Sequence, residues 1–108
     1  MTTNLIHEQV APLATTETDL YEVPALTRVV ISSVTICNRG TSATTMRLSA
    51  SKSGGATATK DYFLYDVLIP PNDLYIMTSG LTLEAGTVVR VYAGNTFLSF
   101  QIFGEESG

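Results

Sequence analysis

Tryptophan is absent from this chain, cysteine and histidine occur once each, and charged residues make up only 15% of it. Each scarcity excludes something. A lone Cys37 cannot close an internal disulfide, so a disulfide-stapled scaffold is ruled out. A lone His7 leaves any Ser–His–Asp triad or histidine-based metal site with one candidate. Six basic residues against ten acidic ones give a net charge of -4, which argues against a general nucleic-acid binder. No run approaches the ~20 apolar residues that cross a bilayer, so no membrane partner is expected. The opening Met1-Thr2-Thr3-Asn4-Leu5-Ile6-His7-Glu8 has neither a basic start nor an apolar stretch of signal-peptide length. A soluble, mildly acidic domain made in a reducing compartment is the expectation.

What replaces charge is hydroxyl. The 108 residues include 16 Thr and 9 Ser, and Thr is a good strand former where Lys and Glu are poor ones. The length suits one domain, and the 44% hydrophobic content is enough for one core. Charge is unevenly spread. Residues 1–24 hold Glu8, Glu17, Asp19 and Glu22 with no Lys or Arg, whereas all six basic residues lie in 25–104. An acidic segment on a slightly basic body can fold back on it, reach a neighbour, or stay solvated.

Strand signals begin at Asp19. Leu20 to Val23 is closed by Pro24, and proline sits at strand ends or edges. Residues 27–38 are dominated by β-branched side chains, and alternation puts Val30, Ser32, Val34 and Ile36 on one face. Asn38-Arg39-Gly40 breaks the run. From Thr45 to Lys52, Met46, Leu48 and Ala50 read inward, and Arg47, Ser49 and Ser51 outward. From Lys60 to Ile69, Tyr62, Leu64 and Asp66 share one face and Phe63, Tyr65 and Val67 the other. Pro70-Pro71-Asn72-Asp73 is a turn, followed by short runs at Leu74–Thr78 and Leu81–Leu83. Thr87 to Ala93 is a strand, Gly94-Asn95 a tight turn, and Thr96 to Phe103 alternates with Leu98, Phe100 and Ile102 inward. No segment keeps a period of 3.6. The pattern predicts an all-β chain: a single antiparallel β-sandwich, jelly-roll or immunoglobulin-like, over residues 19–108. Residues 1–18 read as an extended N-terminal arm that docks through Leu5, Ile6, Val10 and Leu13.

The residues offer no catalytic constellation, so no enzyme is expected. His7 lies in the arm, and no G-x-S-x-G elbow occurs. Cys37, ending an apolar strand, reads as a buried structural thiol. Asp61 and Asp66 point to opposite faces, Asp73 suits local turn capping, and no zinc or EF-hand spacing appears, so no metal or other cofactor is expected. Gly54-Gly55 lacks the following helix of a phosphate loop. Tyr62, Tyr65, Tyr75 and Tyr92 suit half-buried sheet positions, with sugar stacking as the alternative use.

Several segments resemble a family of small virion proteins of tailed bacteriophages. They are Thr16-Glu17-Thr18-Asp19-Leu20-Tyr21-Glu22-Val23-Pro24, Cys37-Asn38-Arg39-Gly40-Thr41-Ser42-Ala43-Thr44-Thr45-Met46-Arg47 and Lys60-Asp61-Tyr62-Phe63-Leu64-Tyr65-Asp66. Pro71-Asn72-Asp73, Val91-Tyr92-Ala93-Gly94-Asn95 and Leu98-Ser99-Phe100-Gln101-Ile102-Phe103-Gly104-Glu105-Glu106 continue it, so the likeness spans residues 15–106. These motifs are strand ends and turns, which speak to fold more than to role. The resemblance implies a head-decoration (cement) protein, or else a tail, neck or fibre component. It implies a virion location, synthesis in the bacterial cytoplasm, and the major capsid protein or another virion protein as partner. A homotrimer held by arm exchange is the expectation for assembly. A sugar-binding sandwich using its tyrosines is the remaining alternative.

Overall fold

The computed structural model describes residues 3–78 and 80–108. Its strands are β1 (Thr3–Val10), β2 (Thr18–Glu22), β3 (Arg28–Asn38), β4 (Thr44–Ser51), β5 (Tyr62–Ile69), β6 (Leu74–Met77), β7 (Leu81–Leu83), β8 (Val88–Ala93) and β9 (Leu98–Ser107). Two short 3-10 turns, Lys52–Gly54 and Thr59–Asp61, precede β5. The strands form two antiparallel sheets. One runs β1-β9-β3, with β6 and β7 sharing the far edge of β3; the other runs β2-β8-β4-β5. The predicted antiparallel sandwich is therefore the observed fold. Only the β4–β5 and β6–β7 connections stay within a sheet. This constant crossing is jelly-roll connectivity, with β6 and β7 taking the place of one strand, and not the immunoglobulin arrangement.

The core lies between the sheets, where Val29, Ile31, Val34, Ile36, Leu98, Phe100 and Ile102 meet Met46, Leu48, Val89, Val91 and Ala93. β9 alternates as the sequence predicts. β3 does not. Val29 and Ile31 point inward, then Val34 and Ile36, while Val30 is 47% exposed. A bulge between Ile31 and Ser33 absorbs Ser32, whose Oγ donates to the Phe103 carbonyl at 3.1 Å. The extra residue reverses the parity of one half of the strand. Gly104 makes the bulge possible: a Cβ there would stand 2.3 Å from the Val30 oxygen.

Cys37 is exposed, which corrects the expectation of a buried thiol. Its neighbours Ile36 and Asn38 are both buried, so alternation turns it outward. Ser49 and Ser51 do lie on the outer face, opposite Arg90 and Val88, yet both are buried, at 1% and 2% exposure. The segment 52–61 folds back over this part of the sheet, and the Ser51 hydroxyl donates to the Gly55 carbonyl at 2.7 Å. Arg90 pins that segment. Its guanidinium donates to the carbonyls of Gly54 and Gly55, to the Thr57 hydroxyl, and to Asp19 at 2.9 Å. Glu17 accepts from Thr57 at 2.8 Å, so part of the acidic segment does fold back on its own body.

Residues 3–10 do not stand apart as an arm. β1 pairs along its whole length with β9, from Thr3 opposite Ser107 to Val10 opposite Phe100. Ile6 and Val10 are half-buried against the core, whereas Leu5 is 85% and Leu13 71% exposed. Residues 11–17 then cross to the other sheet, where the Thr15 amide donates to the Ala93 carbonyl at 2.8 Å.

Two polar contacts close the sandwich ends. Asn38 is buried, donates from Nδ2 towards the carbonyls of Ser42, Ile69 and Pro70 at 3.0–3.1 Å, and accepts the Gly40 amide at 2.9 Å. At the other end the Tyr21 hydroxyl donates to Glu106. Burial first, and then that carboxylate, hold the Tyr21 hydroxyl well above its ordinary pKa.

Candidate functional site

A cluster of contacting charged and aromatic side chains lies on the outer face of the four-stranded sheet, across β8, β4 and β5. It starts from a bulge. Met46 faces Val67 and Leu48 faces Leu64, so Arg47 alone stands opposite both Tyr65 and Asp66. Asp66 takes a left-handed φ of 52°, a conformation that Asp tolerates better than most residues. Leu64 and Val67 both pack on the core, and Tyr65 and Asp66 both turn outward. The regular alternation expected for β5 is thereby corrected. The cause is an extra residue between Leu64 and Val67.

Arg47 sits at the centre. Its Nε donates to Asp66 Oδ1 at 2.6 Å and its Nη2 to Oδ2 at 3.4 Å. The guanidinium lies over the ring of Tyr65 at 4.3 Å and over that of Tyr92 at 4.5 Å. Tyr62 meets Tyr65 edge-on, with ring centroids 4.9 Å apart. Asp66 raises the guanidinium pKa still further, so the cation persists at any working pH. Tyr65 remains 56% exposed and Leu68, on the same strand, 63%. The charges cancel locally, leaving a nearly neutral surface of rings and hydroxyls.

Of the four tyrosines singled out, Tyr62, Tyr65 and Tyr92 are thus brought together. Tyr75 lies on β6 in the other sheet and packs against the core. Each of Tyr65 and Tyr92 turns one ring face to Arg47, so those faces are not open to a sugar ring. Sequence reading did not join Arg47 to the tyrosines. The signal present was Asp66, one carboxylate inside an otherwise apolar strand.

The remaining candidates are dispersed. His7 stacks on Phe103, with centroids 4.5 Å apart, and its Nε2 lies 2.7 Å from Gln101 Oε1. Asp61 accepts the Ala58 amide and Asp73 the Leu74 amide, both local capping contacts. Among the described residues no group of three His, Cys, Asp or Glu converges as a metal site. The docking residues Leu5, Ile6, Val10 and Leu13 lie along β1 and the crossing after it. No protein-family model matches the chain, and no curated protein matches it.

Proposed function

We propose that this protein is a non-enzymatic virion subunit of a tailed bacteriophage, a decoration protein that binds the capsid shell through the Arg47 cluster. The carrying observation is the cluster itself. Tyr65 is exposed, Arg47 and Tyr92 are half-buried beside it, and all three are held in place by a bidentate carboxylate and by each other. Tyr and Arg dominate the residues that carry protein–protein binding energy, and rigid side chains lose little entropy on binding. The jelly roll is shared by viral capsid and lectin domains, so the fold alone does not choose between them. The occupied ring faces weigh against the sugar reading.

The test is binding of the purified protein to shells of the same phage that lack it, together with its copy number in intact particles. Saturable binding and hundreds of copies per particle support decoration. A handful of copies moves the protein to the tail, neck or fibre, and absence from particles defeats the virion reading. Tyr65→Ala is expected to weaken shell binding at least about thirtyfold without loss of fold.

A further inference from the structure

We propose that the free edge of β1 pairs antiparallel with β1 of a second copy, joining two five-stranded sheets into one. This goes beyond the virion reading and does not depend on it. The two sheets have four edges. An edge strand exposes unpaired N–H and C=O groups, and proteins blunt such edges with bulges, prolines, short strands or lysines. Three edges here are blunted. β2 has five residues, a register shift between Asp19 and Tyr21, and Pro24 close behind. β5 carries two register shifts and runs into Pro70-Pro71. The β6/β7 edge is split into strands of four and three residues.

β1 has none of these devices. Its eight residues, Thr-Asn-Leu-Ile-His-Glu-Gln-Val, contain no Pro, Gly or Lys, and its register with β9 is unbroken. Leu5 stands 85% exposed beside it. The outer side is already levelled, because His7 is held flat on Phe103 and against Gln101.

A second copy is the occupant that fits. A two-fold axis sets identical strands antiparallel and of equal length without further adjustment. Outward residues must meet outward residues, so the axis passes through a residue, and His7 and Ile6 are the two choices that keep the longest overlap. The first register sets Leu5 against Gln9 and Ile6 against Glu8. The second sets Leu5 against His7 and Asn4 against Glu8. Glu8 is the strand's one charged residue, and neither register opposes it to itself. A chain of net charge -4 thus finds a self-contact free of like charges.

Two measurements on the full chain in solution test this. Light scattering and native mass spectrometry are expected to show a concentration-dependent dimer. Amide exchange by NMR is expected to show alternate residues of β1 protected in the monomer and nearly all of them in the dimer. The double substitution Leu5→Lys with His7→Lys opposes cations in both registers, and is expected to weaken the dimer about tenfold or more while the far-UV spectrum is kept. A monomer up to about 1 mM overturns the proposal. So does a dimer whose free-edge β1 amides still exchange, or one that the lysines leave intact. Shell binding can fail while this pairing holds, and the reverse, so the two readings fall separately.

Discussion

Replacing Asn38 with alanine removes a buried amide that ties three segments together. Its Nδ2 serves the carbonyls of Ser42, Ile69 and Pro70, and its Oδ1 accepts the Gly40 amide. Two N–H donors and one acceptor are lost, at about 1 kcal/mol net each, and the buried Ile69 carbonyl contact is orphaned at ~1–3 kcal/mol more. The sum is about 4–6 kcal/mol, a large part of the ~5–15 kcal/mol that holds a typical domain. With no tryptophan to report, urea unfolding is followed by far-UV circular dichroism and tyrosine emission. At a slope of ~2 kcal/mol per molar urea, the midpoint falls by about 2–3 M. Asn38→Asp adds a pH test. It keeps the shape and the Gly40 contact but aims a carboxylate at three carbonyl oxygens. Burial and those oxygens raise its folded-state pKa above the unfolded ~3.9. The protonated form, which restores one donor, is then favoured by folding. Its contribution is complete below ~3.9 and is lost as pH rises through the folded value, so the deficit against wild type grows from pH 4 to pH 8. An Asn38→Ala cost under about 1 kcal/mol with unchanged slope refutes the reasoning.

Gly104→Ala places its Cβ against the Val30 carbonyl, a backbone atom that cannot swing away, and is expected to cost about 2 kcal/mol in urea unfolding. Gly55→Ala, which meets nothing within 4 Å, is the control and should stay within about 0.5 kcal/mol. Because the Tyr21 hydroxyl pKa is raised by folding, its stabilising share is complete below pH 10.0, the ordinary value, and falls as pH climbs above it. Tyr21→Phe should therefore flatten the alkaline loss of stability and remove a late-titrating component from the 295 nm absorbance. Cys37 should react with a maleimide in the native protein at nearly the rate seen in urea; slow labelling that needs unfolding would contradict its outward placement.

The sandwich was legible because most strands carry their own punctuation. Pro24, Asn38-Arg39-Gly40, Pro70-Pro71 and Gly94-Asn95 bracket β-branched runs, and β2 to β8 lie within about two residues of the expected bounds, whereas β9 continues past the expected end at Phe103 to Ser107. The β9 alternation of Leu98, Phe100 and Ile102 is unambiguous because each inward residue is apolar and each outward one polar. β1 was less legible. Thr3–Val10 lacks a turn signal and a clean period, and its place in the sheet comes from pairing with β9, ninety residues away in sequence. Residue type misleads at Cys37, although alternation with Val34 and Ile36 on one face already places it on the other.

The residues that misled pattern reading are those that shape the surfaces. Two adjacent serines, Ser32 and Ser33, cannot both point outward in a regular strand. The bulge resolves this by taking Ser32 out of step, and Gly104 leaves the space. In β5, a regular strand with Val67 inward would draw Tyr65 inward as well, because residues two apart share a face. The left-handed Asp66 breaks that link, keeps Val67 in the core and delivers Tyr65 and the carboxylate to Arg47 together. Apolar content cannot reveal such a step, since both parities of Phe63-Leu64-Tyr65 satisfy it. A single polar residue inside an apolar strand can, because regular alternation gives a carboxylate no reason to be there. Asp66 marks both the bulge and the cluster it builds.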